Sequence, residues 1–269
     1  MASEEEMQAY YEQDRERDRL ANGRGELEFI RTIEIIARTL PAAPAVVADI
    51  GGGPGRYTDW LIEQGYKVVH RDVVPNHVEQ VRERHGSHFD TGVGDARDLS
   101  DITDGCADAV LLLGPLYHLT TAADRARAMN ETARITRVGG MVYAAAITRW
   151  AARIMGLLVD RMYLEHPQTI TSTDLVDATG VLEPVIDGGF TAFAHTPEQF
   201  AVEVDIVGLQ LESVVGIEGI ATAFTDEDVA ERLADLTDRK VLLDSLRALE
   251  AVPDLLGASS HLLAIARRI

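Results

Sequence analysis

The sequence predicts an α/β protein built on a doubly wound, mostly parallel sheet, and three observations carry that prediction. Val46-Val47-Ala48-Asp49-Ile50 is a short apolar run that enters a loop with four glycines in five positions, Gly51-Gly52-Gly53-Pro54-Gly55, followed by a helical pattern from Tyr57. Strand, tight turn and helix in that order form the unit from which parallel sheets are wound. Ala107-Asp108-Ala109-Val110-Leu111-Leu112-Leu113 is almost continuously apolar, as a strand covered on both faces must be. Between such runs lie amphipathic segments of helical period, as parallel crossovers require. The expected sheet has seven strands, with helices before strand 1 and a helical insertion after strand 5.

Taken in order, residues 4–19 are densely charged and read as a solvated helix with i,i+4 pairs. Tyr10 and Tyr11 inside that run need a surface to pack on, and residues 1–40 form an N-terminal helical segment. Gly23 and Gly25 are expected to break the helix. Leu27, Ile30, Ile33, Ile36 and Leu40 recur at helical spacing, and Pro41 and Pro44 end that segment. The core, residues 41–147, then predicts strand 1 (46–50), a helix (57–64) stopped by Gly65, strand 2 (67–72) and a helix (76–84). Strand 3 (89–94), strand 4 (107–113), a helix (124–136), a turn at Val138-Gly139-Gly140 and strand 5 (141–147) follow. Residues 148–195 are too apolar for a linker; a helix over 150–164, a stop at His166-Pro167 and a helical piece over 172–179 predict a helical insertion. Residues 196–269 return to the core. Thr196, Pro197 and Gln199 form a capping-box pattern, strand 6 is 210–217, one long helix spans 226–251, and strand 7 is 261–268.

Composition excludes several classes. The 269 residues carry a formal net charge of −19. Nucleic-acid binders need basic patches against phosphates and anionic membranes attract basic ones, so neither partner is expected. Residues 1–20 are acidic rather than a basic leader, no run of 18 uncharged apolar residues occurs, and Cys106 is the only cysteine. A cytoplasmic protein without a disulfide is expected. Clustered metal ligands, C-x-x-C, H-E-x-x-H and G-x-S-x-G are absent from the sequence, so no metal is expected.

The glycine loop points to a nucleotide-like ligand at the carboxyl end of strand 1. A dinucleotide fingerprint reads G-x-G-x-x-G; here Arg56 stands at the third glycine, and Pro54 removes an N–H. Asp49, Gly51, Gly53 and Gly55 instead resemble motif I of the class I S-adenosylmethionine (SAM)-dependent methyltransferases, D-x-G-x-G-x-G. Asp72 lies 21 residues beyond Gly51 at the tip of strand 2, where an acid accepts from ribose hydroxyls. Asp72-Val73-Val74-Pro75 resembles that family's D-x-x-P, and Gly94-Asp95-Ala96-Arg97-Asp98-Leu99 its G-D-A-x-x-L. The latter resemblance implies that Asp95 and the backbone of Ala96 meet adenine. Leu113 at the end of strand 4 and Tyr11 complete the cofactor residues that the resemblance implies, and it further implies that residues 1–40 are a helical lid and residues 148–195 a cap over the substrate.

The end of strand 4 faces the transferable methyl in this family. Leu113-Gly114-Pro115-Leu116-Tyr117-His118-Leu119 resembles a segment of a branch acting on small molecules. An aromatic face attracts a sulfonium, which suits Tyr117, and His118 can take a proton near neutrality. His195 stands before a helix N-terminus, which disfavours an imidazolium, making it the favoured general base with His118 as the orienting group. The function expected is methyl transfer from SAM to an O, N or C nucleophile of a small molecule, such as a secondary metabolite; a homo-oligomer is left open. An NAD-dependent oxidoreductase and a non-catalytic binding protein of the same fold are the alternatives.

Overall fold

The computed structural model describes residues 19–183, 191–205 and 208–269. Helix α1 (Gly23–Ala37) precedes strand β1 (Val46–Ile50), α2 (Arg56–Glu63), β2 (Lys67–Asp72), α3 (Pro75–His85), β3 (Thr91–Val93) and β4 (Ala107–Leu112). The short α4 (Pro115–His118), then α5 (Ala122–Ile135), leads into β5 (Thr136–Thr148). The inserted region holds α6 (Ala151–Leu158), α7 (Met162–Glu165), α8 (Thr169–Thr179), β6 (Val181–Leu182) and β7 (Ala192–His195). The chain closes with α9 (Pro197–Val204), β8 (Leu209–Gly216), α10 (Asp226–Ala234), α11 (Leu236–Leu249) and β9 (His261–Arg268).

One sheet takes in all nine of these strands. The β1–β2, β1–β4, β2–β3 and β4–β5 pairs are parallel, and β9 runs antiparallel between β5 and β8. This bears out the doubly wound, mostly parallel α/β fold. The count of seven does not hold: β6 and β7 come from the insertion, where β7 extends the sheet beside the end of β5 through Ile147–Ala194 and Thr148–His195. Side chains alternate between two cores, as the period of a strand demands. Ala48, Ile50, Val110, Leu112, Val142 and Ala144 pack with Met129, Ile135 and Phe200 on one face. Val47, Ala109, Leu111, Met141 and Tyr143 pack with Ile35, Ile36 and Leu61 on the other.

Four local expectations change. Gly23 and Gly25 lie in the first turn of α1, ahead of the start at Leu27 read from the sequence, with Asn22 as its N-cap; residues 4–18 of the helix they were expected to end lie outside the described residues. The helix read over 226–251 is two: Asp235 leaves helical dihedrals (ψ 129°) and its carboxylate accepts from the N–H groups of Thr237 and Asp238, and such a cap starts a new helix. The helix over 150–164 breaks at Arg161, which takes φ +52°. Strand 3 shrinks to three residues, Thr91–Val93. The capping box at Thr196 and Gln199 is present in both arms.

Candidate functional site

The carboxyl ends of β1, β2 and β4 meet at one cleft, and the glycine loop forms its floor. Gly51, Gly53 and Gly55 take φ of +68°, +56° and +90°, a region that penalises any Cβ. A Cβ on Gly51 would lie 2.4 Å from Pro115 Cγ, whereas one on Gly53 would meet no protein atom within 4 Å and would project into the cleft that Gly53 lines. The loop's N–H groups are all committed within the protein. Those of Gly51 and Gly52 donate to the Arg71 carbonyl at 2.7 and 3.3 Å, and that of Gly55 donates to Gly52 at 3.0 Å. That of Gly53 donates to Asp72 Oδ2 at 2.8 Å. Pro54 has none. A pyrophosphate cradle needs unspent N–H donors, so the loop is shaped for close approach by a ligand rather than for anion capture.

Buried polar groups fix this floor. Asp49, 1% exposed, accepts from Thr58 Oγ1 at 2.7 Å. Burial, opposed by the His70 ring and the Thr58 hydroxyl, drives its pKa up, a position for ordering the loop. His70, wholly buried, bridges Thr91 Oγ1 (2.9 Å) and the Gly53 carbonyl (3.0 Å). Asp72 Oδ1 accepts from the Val74 N–H at 2.8 Å and contacts His77 Nδ1 at 3.1 Å. A carboxylate offers about four lone-pair directions, so Asp72 keeps capacity for a further donor beyond these three contacts. Across the cleft, Asp95 closes a turn by accepting from the Arg97 N–H at 2.8 Å and from its guanidinium. Against the upward push of burial, Arg97 holds the Asp95 carboxyl low.

The same cleft is lined by Asp49, Gly51, Gly53, Asp72, Asp95, Ala96, Leu113, Tyr117 and His118. Acids at the tips of β2 and beyond β3, a glycine floor, and an aromatic residue past β4 thus share one cavity. Residues 48–144 match the methyltransferase domain family. An uncharacterised methyltransferase of Mycobacterium tuberculosis is 32% identical over 164 residues, 56% of this chain and 65% of that protein. A tRNA (carboxymethyluridine(34)-5-O)-methyltransferase of Mus musculus is 34% identical over 121 residues, 45% of this chain but only 17% of its own length. The match therefore spans less than two thirds of either relative. A SAM-dependent methyltransferase of Methanosarcina mazei superposes with a TM-score of 0.59 at 16% identity, covering 87% of this chain and 97% of that one. The fold is that of the class I SAM-dependent methyltransferases, and the cofactor these comparisons indicate is S-adenosylmethionine.

The remaining sequence candidates separate. Gly55 does not line the cleft; it caps α2, and a Cβ there would strike Val81 Cγ2 at 2.7 Å. Tyr11 lies outside the described residues, although Arg19 and Leu20, just beyond that segment, do border the cleft. Tyr117 and His118 stand together with ring centroids 4.8 Å apart. Packing around the His118 ring lowers its pKa to about 4, against a pull upward from Asp72, so this imidazole is neutral at pH 7.

His195 does not join them. It is fully buried and outside the cleft lining. Its Nε2 contacts Glu203 at 3.1 Å, its ring meets Phe193 edge-on at 4.7 Å, and Nδ1 has no partner among the described residues. Burial lowers its pKa. Arg125 grips the same Glu203 with two 2.8 Å bonds while stacking 3.7 Å above Phe193. Burial pushes the Glu203 carboxyl up, but Arg125 and His195 outweigh it and hold it at about 2. The helix N-terminus after His195 is satisfied by Thr196, and the ring points into packing between α9 and α5, which is why placement beside the sheet edge did not bring it to the cleft.

His70 and His77 went unremarked in the sequence, yet they tie the loop and Asp72 in place. A signal existed: His70 and Asp72 lie two apart on one strand, so their side chains share a face.

Proposed function

We propose that this protein transfers a methyl group from SAM to an O, N or C nucleophile of a small molecule. The observation that carries the reading is the glycine floor with all of its N–H donors spent internally, facing Asp72 and Asp95 across one cleft. That arrangement suits a cofactor recognised through ribose hydroxyls and adenine, and it does not suit the pyrophosphate of NAD. Asp72 would hold the ribose, Asp95 and the Ala96 backbone the adenine, and the open face of Gly53 would admit the ligand's bulk. SAM supplies a methyl group activated by its cationic sulfur. Tyr117 presents a π-system where that cation would lie. The neutral His118 ring, with its low pKa, is a weak proton acceptor, so it orients rather than abstracts. Positioning of two reactants can supply about 7–11 kcal/mol of the barrier, a role the rigid floor fits. Arg19 and Leu20 border the rim of the cleft, and the helical insertion after β5 is the segment we assign as a cap on the acceptor.

A small acceptor is favoured over RNA by the net charge of −19, which repels a phosphate backbone. The tRNA-modifying relative is matched over only 17% of its own length. The test is thermal: S-adenosylhomocysteine should raise Tm by mass action, and NAD should leave it unchanged. A shift with NAD alone would overturn the reading.

A further inference from the structure

Outside the cofactor cleft, the most organised polar cluster is built on His261, the first residue of β9. Because β9 is antiparallel, its start pairs with Ile147 near the carboxyl end of β5, on the edge where β4 delivers Tyr117. The Tyr117 ring, which lines the cofactor cleft, lies 6.5 Å from the His261 ring. His261 Nδ1 and Glu218 Oε1 are 2.5 Å apart. Glu218 is 5% exposed, and its Oε2 accepts from the His261 N–H and the Ser259 hydroxyl, each at 3.0 Å. Ser259 is in turn fixed by the N–H groups of Glu218 and Gly219. The α6 helix of the insertion reaches the same corner, where Ser260 Oγ donates to Met155 Sδ at 3.6 Å.

This is a preorganised pair. Glu218 sets which nitrogen carries the inward proton, as a carboxylate partner does for an imidazole. Every hydrogen bond of the ring among the described residues is made at Nδ1, and the side chain keeps 20% exposure. The Nε2 edge is the one left to receive a ligand.

Resting on the methyl-transfer reading above, we propose that His261, oriented by Glu218, binds an anionic oxygen of the acceptor—a carboxylate, or an ionised phenol or enol—beside Tyr117. Among the described residues, the groups facing the ring are Glu218 from the turn after β8, Glu28 from α1 at 3.9 Å, Arg19 before α1, and Tyr117. Burial alone would lower the pKa of the ring, but Glu218 and Glu28 outweigh it and lift the value to about 9. The ring is therefore a cation at neutral pH with Nε2–H as a donor, suited to an anion and unsuited to removing a proton. The chemistry agrees. When an anionic oxygen takes the methyl, an O–C bond forms, the S–C bond breaks, its electron pair stays on sulfur, and no proton has to move.

The same cluster can be drawn as a metal site, since Glu28, Glu218 and His261 each bring one ligand atom within 4.8 Å of the others. The Nδ1 proton shared with Glu218 occupies the position a metal would need, so the anion reading is preferred.

The test uses protein saturated with S-adenosylhomocysteine and a panel of matched probes: benzoate with benzamide, salicylate with salicylamide, and 4-nitrophenolate with nitrobenzene. Calorimetry should show the anion binding at least about tenfold tighter than its partner, and His261→Gln should erase that preference by roughly 10- to 100-fold, the range of a charge-assisted bond. S-adenosylhomocysteine affinity should stay within about twofold. Histidine-labelled NMR of the wild-type protein gives a readout independent of variant folding: the His261 ring signals should move with benzoate and not with benzamide. Glu218→Gln should lower the pH above which the preference is lost, a shift that a purely structural role for Glu218 would not give. Anions binding no better than neutral probes, unmoved His261 signals, or a Tm gain with zinc that abolishes anion binding would each overturn the proposal. Failure of S-adenosylhomocysteine to bind at all would instead overturn the methyl-transfer reading beneath it.

Discussion

The two sides of the sheet's carboxyl edge are built differently. On the cofactor side the groups that shape the site lie between Asp49 and His118, and the bonds that fix them join residues a few positions apart or the tips of neighbouring strands, as Gly53 with Asp72 and Arg97 with Asp95. On the other side, groups converge from α1, the turn after β8, the start of β9 and the insertion, as Glu218 and Glu28 with His261 and Ser260 with Met155 show. A site assembled from one continuous stretch leaves its geometry in the residue spacing. A site assembled from distant segments leaves only isolated residues whose meeting depends on the whole fold.

The largest effect that would sharpen this comparison belongs to the floor. Gly51→Ala places a methyl 2.4 Å from the ring of Pro115 at φ +68°. Strain and clash of that kind cost about 2–4 kcal/mol together, and S-adenosylhomocysteine affinity should fall by more than about 100-fold in calorimetry. Gly53→Ala has the strain without the clash, so stability should drop by only about 1–2 kcal/mol. Its affinity should nevertheless fall sharply, because the methyl enters the cleft. A Gly53→Ala protein that keeps full affinity would mean the ligand does not cross this floor.

Next in size is Asp72. Asp72→Ala removes the acceptor of the Gly53 and Val74 N–H groups as well as the predicted ribose contact. S-adenosylhomocysteine affinity should fall roughly 10- to 100-fold, measured below the lowered Tm. Unchanged affinity would separate the acid at the tip of β2 from the cofactor.

How much was legible follows from the same contrast. The strand–loop–helix unit, the acid 21 residues on, and Asp95 were all readable because apolar period, glycine and charge sit in one local pattern. The nine-stranded sheet was not, since β6 and β7 are short runs whose pairing with the end of β5 is set by where the insertion folds back. The break at Asp235 hid for a simpler reason: an Asp inside a helical pattern reads equally as a surface residue and as a cap. His195 was misplaced because sequence put it beside the sheet edge but could not show Glu203, eight residues on, turning its ring into the core. His261 was read only as the start of a strand, since Glu218 and Tyr117 are far away in the chain.

A third test addresses His195 directly. His195→Ala opens a cavity around Phe193 and Phe200 and leaves Glu203 with one partner fewer. Stability should fall by about 2 kcal/mol in urea unfolding, with S-adenosylhomocysteine affinity within about twofold of wild type. An unaltered Tm with a lost methylation rate would return His195 to the chemistry.

The smallest effect is a pH dependence whose two limbs come from different histidines. His118 has a folded pKa of about 4, below the ordinary 6.5 of the unfolded chain. As pH falls below 6.5 the unfolded state takes up a proton that the native ring refuses, so stability drops toward acid. His261 has a folded pKa of about 9. Its contribution is complete below 6.5 and is lost as pH rises through 9, since the native ring then holds a proton the unfolded one has released. Each limb is limited to about 1.4 kcal/mol per pH unit for one group. The carboxylates held low by arginine lose their contribution below about pH 4.5, outside the window from 5.5 to 9. Urea unfolding across that window should therefore show a maximum between the limbs. His118→Gln should flatten the acid limb, with His195, also lowered, leaving a residual slope, and His261→Gln should reduce the alkaline limb without touching the acid one, with the buried Asp49 carboxyl, held high, leaving a residual fall. If His261→Gln leaves the alkaline limb intact, the Glu218–His261 pair is not charged in the native protein, and the acceptor side loses the cation on which its contrast with the neutral His118 rests.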